Sequence, residues 1–259
     1  MTDGINHFDL AFVIDTTGSM GGLIGAAQQQ MVSMIRELAL LADVDLMVAV
    51  VQYRDHPPQD QLVSEHWDFS ADLGSVQAVI NGLSASGGGD GPEAVLDGVR
   101  AACDLLSWRP HSRRVAVLIG DAPPHGVGSG GDAFPDGCPC GDTVASVTAA
   151  AEERRITLHG LALQRQIAEV WTQLSNATGG EYFSASQGNH AITLIKEMLL
   201  DEFGDLEFDQ RVLAAWRDGN SLGGAPGYDD LAQQLESSRP AVAAALSRLG
   251  ARGLLHVHP

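Results

Sequence analysis

The chain has 259 residues, of which 44% are hydrophobic and 5% aromatic. That length supports one large domain, or a medium domain with a small one, and the apolar content excludes a disordered chain. A formal charge of −18 disfavours phosphate backbones as partners and favours cations or basic surfaces.

In chain order, FDLAFVI over residues 8–14 reads as a buried strand. Residues 20–42 read as a helix, with Leu23, Ile24, Ala27, Met31, Met34, Ile35, Leu38 and Leu41 at helical spacing. VDLMVAVVQYRD over 44–55 is a second strand, and the alternating LVSEHWDF over 62–69 predicts an edge strand. A short helix over 72–83 precedes the loop SASGGGDGPEA, and Pro92 turns that loop into a helix running to about Leu106. RRVAVLIGD over 113–121 is another buried strand, followed by the long loop 122–142. Helix 143–154, strand 156–163, helix 166–177, strand 181–184 and helix 190–203 complete the alternation. Strands alternating with crossover-length helices predict an α/β fold: an open, doubly wound, mostly parallel sheet with helices on both faces. Ligands bind such sheets at the carboxyl ends of the strands.

Three loops at that end carry oxygen ligands: DTTGSM after the first strand, GGGDGPE before the third helix and GDAPPHG after the fourth strand. Carboxylates from Asp15, Asp90 and Asp121, with hydroxyls from Thr17 and Ser19, suit a hard divalent cation. The alternating D-x-T-x-S spacing lets three side chains face one point, and Gly18, Gly21 and Gly22 let the backbone bend closely. The alternative for Thr17 or Ser19 is a helix cap, and for Asp121 an ordinary loop acid.

Carried by DTTGSM and the GD ending the fourth strand, the sequence over residues 7–203 resembles a von Willebrand factor A domain with a metal-ion-dependent adhesion site. YRDH, GGGDGPE, WR and DAPPHG resemble the intracellular branch, such as A domains attached to alpha-kinases and their bacterial relatives. The resemblance implies Asp15, Thr17 and Ser19 as ligands from the first loop and Asp121 from the third, with Mg²⁺ or Mn²⁺ bound. Many members place a threonine in the second loop, where this chain reads Gly88, Gly89, Asp90. Either Asp90 replaces the threonine, which is the favoured reading, or that ligand is missing. A third carboxylate would reduce the positive charge offered to an acidic partner. The resemblance implies a non-enzymatic role: a protein partner bound at the metal face, with a component of an AAA+ ATPase or kinase system as the expected kind.

His125, near Asp121, is the best candidate base for a hydrolase, but no nucleophile elbow, phosphate-binding loop or H-E-x-x-H accompanies it. With Cys138 and Cys140 it offers three zinc ligands where four are needed, so the loop reads as a turn-rich rim. Cys103 reads as core.

The last 55 residues carry 7 acids and 5 bases, against 26 and 10 before them. They predict three helices and a strand, with acidic Asp229 and Asp230 opening the second helix and a Ser cap with Pro240 opening the third. DDLAQQLESSRPAVAAALSRLGARGLL resembles a winged helix-turn-helix domain over residues 205–259, following an A domain over 1–204. By that resemblance Arg239, Arg248 and Arg252 are the DNA-facing candidates. The net charge of −2 and the lack of a basic wing favour protein docking or a homodimer over a metal-dependent DNA-binding regulator. With no apolar run near the roughly 18 residues of a membrane span, no basic leader and no extracellular cysteine framework, the sequence predicts a cytoplasmic, bacterial-type protein with reduced thiols.

Overall fold

The computed structural model describes residues 4–41, 44–127, 130–163, 167–221 and 225–255. Six strands form one sheet in the order β3-β2-β1-β4-β5-β6. They are β1 (His7–Asp15), β2 (Asp45–Tyr53), β3 (Ser64–Ser70), β4 (Arg113–Gly120), β5 (Ile156–Ala162) and β6 (Tyr182–Ser184). All neighbours pair in parallel except β2 and β3, so β3 is the edge strand that its alternating sequence predicts, and it runs antiparallel.

The strands read as continuous apolar runs because both sheet faces are covered. Phe8, Leu10, Phe12 and Ile14 of β1 pack against α1 (Gly21–Leu41), α2 (Leu73–Gly82) and the first half of α6 (Gly188–Ser221). Ala11 and Val13, one pleat over, join α3 (Val95–Asp104), α4 (Val144–Glu153) and α5 (Ala168–Ala177) in a second core. The helical stripe of α1 is buried as its spacing predicts, from Leu23 to Leu38. Among the described residues no helix is long and apolar enough to cross a membrane.

Chain order reverses between β1 and β4, and a crevice opens at the carboxyl ends of strands at such a point. Asp15 ends β1, and Asp121 follows the last residue of β4. The opposite end of the sheet is held by ion pairs. Arg109 Nε donates to Asp9 Oδ1 at 2.7 Å, and Arg113 of β4 bonds Glu202 of α6 at 2.7 and 2.9 Å.

The C-terminal region departs from the expected layout in one respect. The sequence predicts separate helices over 190–203 and from Phe208, but α6 runs unbroken across Gly204 for 34 residues. A helical glycine costs only about 1 kcal/mol, and apolar positions continue on both sides of it. Phe203 and Leu206 belong to the first core, whereas Val212, Leu213 and Trp216 enter a third. That third core is completed by α7 (Tyr228–Gln234) and α8 (Arg239–Ala251), through Leu231, Val242, Ala245 and Leu249. Asp229 and Asp230 lie in the first turn of α7, and the Ser238 hydroxyl caps α8 by accepting from the Ala241 N–H at 3.2 Å, with Pro240 beside it. The expected final strand lies mostly in residues 256–259, outside the described residues, and Leu254 and Leu255 form none.

Two of the three arginines expected to face DNA are held inside the protein. Arg252, 7% exposed, donates to the carbonyls of Gly4, Ile5 and His111 at 3.1, 2.7 and 2.9 Å. Arg248 donates to buried Asp209 at 2.6 Å and pairs with Asp205 at 3.0 Å. Arg248 is the close counter-ion of buried Asp209, and Arg252 lies 4.0 Å from the same carboxylate. Arg239 is exposed, 3.5 Å from Asp229.

Candidate metal centre

Three loops are zipped together at the switch point by backbone hydrogen bonds. The Thr16 N–H reaches the Tyr53 carbonyl and the Ser86 N–H reaches the Thr16 carbonyl, both at 3.0 Å. The Gly18 N–H reaches Gly87 at 3.2 Å, and the Glu93 N–H reaches Pro123 at 3.0 Å. Arg54 braces the second loop, donating to Thr16 Oγ1 at 3.2 Å and to the Ser84 carbonyl at 3.1 Å. Gly88 adopts φ +75°, and a Cβ there would lie 2.7 Å from Glu93 Oε1 and 3.2 Å from Thr17 Cβ. Only glycine meets both demands.

Asp15 is fully buried, and its Oδ1 accepts from the Thr17 N–H at 2.8 Å and the Thr17 hydroxyl at 2.7 Å. Ser19 is exposed, and its hydroxyl donates to Asp121 Oδ1 at 2.9 Å. The two hydroxyl oxygens lie 3.4 Å apart. Thr17 makes no side-chain cap bond to the following 3₁₀ turn, Gly18–Met20. The structure thus brings Asp15, Thr17, Ser19 and Asp121 into one chain of contacts, buried at Asp15 and open at Ser19.

Asp90 is drawn elsewhere. Its Oδ2 accepts from the Ala133 N–H at 2.6 Å, and its carboxylate gathers with Asp55 and His125. The acid of the second loop that reaches the Thr17 side is Glu93, three residues on and 5% exposed. A reading centred on the position of a missing threonine passes over it, although GGGDGPE contains it.

The electrostatics are those of an uncompensated acidic pocket. Burial pushes the Asp15 carboxyl up to about 7 against its Thr17 hydrogen bonds, and the Asp121 charge adds to the rise. Burial, with the charges of Asp15, Asp55, Asp90 and Asp121, pushes Glu93 up to about 10. Asp15 Oδ2 and Glu93 Oε2 are both buried with no hydrogen-bond partner among the described residues. Orphaned carboxylate oxygens this deep are costly unless a cation or proton meets them. The donor set is all oxygen, which fits a hard divalent cation.

His125 does not join this cluster. Its Nε2 lies 2.8 Å from Asp55 Oδ1 and its Nδ1 2.9 Å from Asp132 Oδ1, all three side chains being essentially buried. Both ring nitrogens are therefore engaged, and neither faces Cys138 or Cys140. YRDH at the end of β2 serves this whole rim. Tyr53 packs under Gly98 and Gly120, Arg54 braces the loops, Asp55 holds His125, and His56 lies 2.9 Å from Asp97.

Fold and site together define a doubly wound α/β domain with a candidate cation centre at its switch point. Residues 9–125 match the model of the von Willebrand factor A domain family. Domains of this family often bind a divalent metal and often mediate protein–protein interaction. The chain is 34% identical over 139 residues to alpha-protein kinase vwkA of Dictyostelium discoideum, covering 51% of this chain and 21% of that protein. It is 32% identical over 126 residues to a putative ariadne-like RING finger protein, R811, of Acanthamoeba polyphaga mimivirus, covering 49% and 12%. It therefore spans about a fifth or less of the length of these curated relatives. Among solved structures, the pilus adhesin SpaC of Lactobacillus rhamnosus GG shares the fold with a TM-score of 0.53 at 14% identity, over 77% of this chain and 30% of that one. A conserved hypothetical protein, BatB, of Bacteroides thetaiotaomicron does so at 0.50 and 14%, over 76% and 98%.

Proposed function

We propose that this chain is a non-enzymatic adaptor that binds a protein partner through a divalent cation, Mg²⁺ or Mn²⁺, held by Asp15, Thr17, Ser19 and Asp121 with Glu93 behind them. The observation that carries this reading is the convergence of three zipped loops on buried carboxylate oxygens that lack partners among the described residues. Bound there, the cation supplies a positive centre that an acidic side chain of the partner completes. Asp15 and Glu93 anchor from the buried side, while Ser19 and Asp121 form the open edge. Against a hydrolase stands His125, whose two ring nitrogens are tied to buried carboxylates. The kinase and RING-finger names of the curated relatives support a partner from a signalling or modification system, with a kinase-system component preferred.

The test is a pull-down from native extract with Mg²⁺ or EDTA, using wild type and Asp15→Ala. A protein recovered only by wild type with Mg²⁺ supports the reading. Equal recovery under every condition overturns it. In parallel, Mg²⁺ should raise the melting temperature of wild type but not of Asp15→Ala, because a ligand that binds only the native state stabilises it.

A further inference from the structure

We propose that His56, Asp97, Cys138 and Cys140 form a second, structural metal site that takes zinc and staples the long loop 122–142 to the rim of the candidate metal centre. One donor atom from each residue lies within 4.8 Å of every other. His56 Nε2 is 2.9 Å from Asp97 Oδ2 and 3.2 Å from Cys138 Sγ. Cys138 Sγ is 3.1 Å from Asp97 Oδ2 and 2.6 Å from Cys140 Sγ. The Asp142 N–H donates to Cys140 Sγ at 3.4 Å, the kind of outer contact that orients a thiolate ligand.

These donors come from three places in the chain: the turn after β2, the first turn of α3, and the loop. Two of only three cysteines in 259 residues meet here. One nitrogen, one carboxylate oxygen and two sulfurs make a closed four-ligand set that suits zinc and is unsuited to Mg²⁺. Zinc tetrahedra of these ligands space their donors roughly 3.3–3.8 Å apart, so loading opens the cluster, most at the two sulfurs. Cys140 is exposed and sits in a turn, where that movement is easily made. Loading a neutral imidazole, two thiols and a carboxylate releases two thiol protons.

The loop needs such a staple. Its described residues, 122–127 and 130–142, hold no regular helix or strand, and a connection of that length is uncommon in a compact domain. Its described residues bring little apolar surface, chiefly Phe134 edge-on to His56 and His125. Yet it must hold Asp132 on His125 and the Ala133 N–H on Asp90. Zinc on Cys138 and Cys140 fixes the downstream end of the loop to His56 after β2 and Asp97 of α3, close in the chain to Asp55, which holds His125, and to Glu93 of the neighbouring centre.

The experiment measures zinc per chain in the protein as isolated under reducing conditions, then strips it with chelator and reloads it with Co²⁺. One zinc per chain is expected, and the cobalt form should show thiolate charge-transfer absorption with the visible bands of a tetrahedral centre. Cys140→Ser, at an exposed position, should lose part of the charge-transfer intensity. His56→Gln and Asp97→Asn should lose tight zinc binding, and Asp15→Ala should retain every cobalt feature. Zinc, but not Mg²⁺, should protect the stripped loop from limited proteolysis. Failure of wild type to develop the charge-transfer band overturns the site. So does an unchanged band in Cys140→Ser, or a zinc-free isolated protein lighter by two hydrogens and carrying a Cys138–Cys140 disulfide. Because Asp15→Ala leaves this readout intact, failure here is separable from failure of the adaptor reading.

Discussion

At the scale of single residues, the candidate centre depends on side chains that are individually unfavourable. Asp15 and Glu93 are buried beside other acids, and each keeps an oxygen with no partner among the described residues. Their roles separate by substitution. Glu93→Gln should shrink the Mg²⁺-linked rise in melting temperature, whereas Asp90→Asn should leave most of it, since Asp90 is engaged by the Ala133 N–H. Equal loss in both variants would return Asp90 to the first cluster. Gly88→Ala should cost about 1–3 kcal/mol in denaturant unfolding, from a left-handed backbone and a Cβ driven against Glu93. It should also weaken the metal response. The clustering of Asp15, Thr17 and Ser19 was legible in the sequence because they lie in one short loop and need no knowledge of the fold. Glu93, His56 and Asp97 were not legible as site residues. Their partners are set by pairings such as His56 with Cys138, 82 positions apart, which no local spacing reports.

At the scale of elements, the parallel strands were legible because burial on both faces writes them as unbroken apolar runs. The continuity of α6 was hidden by Gly204 and the charged stretch around it. Only the packing of Leu206 in one core and Val212 in another reveals a single rod. That rod is tied to the sheet at Glu202, bonded to Arg113 and 3.1 Å from His159 Nε2. Burial alone would raise the Glu202 carboxyl, but the Arg113 charge and the hydrogen bonds from His159 and Arg113 outweigh it and hold it at about 2. A depressed folded value means that this stabilisation is present above the ordinary glutamate value of 4.5 and is lost as pH falls toward about 2. Glu202→Gln should therefore flatten the acid limb of the stability profile and cost about 3 kcal/mol at neutral pH, measured by urea unfolding from pH 7 downward. A chain ending at residue 204 should melt below the full chain, because it loses Leu206 from the first core. Equal melting temperatures would show that α6 contributes nothing to that core beyond Gly204.

At the scale of the molecule, the two ends of the sheet are assigned to different tasks. The candidate centre occupies the carboxyl ends of β1 and β4, while Arg252 fixes the C-terminal helices to Gly4, Ile5 and His111, beside the starts of the same strands. Arg252→Ala should destabilise the protein by about 1–3 kcal/mol through orphaned carbonyls. It should leave the Mg²⁺-linked shift unaltered, and a lost shift would show that the two ends are coupled.

The placement of the C-terminal helices has a consequence for assembly. A nine-residue strand such as β1 is roughly 30 Å long, so a body seated on the loop face and another gripping α7 or α8 are kept apart by the full depth of the sheet. Under the proposed adaptor function the chain would be a rivet with two heads: the sheet would set the spacing of two bound bodies, and chelation would loosen one head while the other stays fastened.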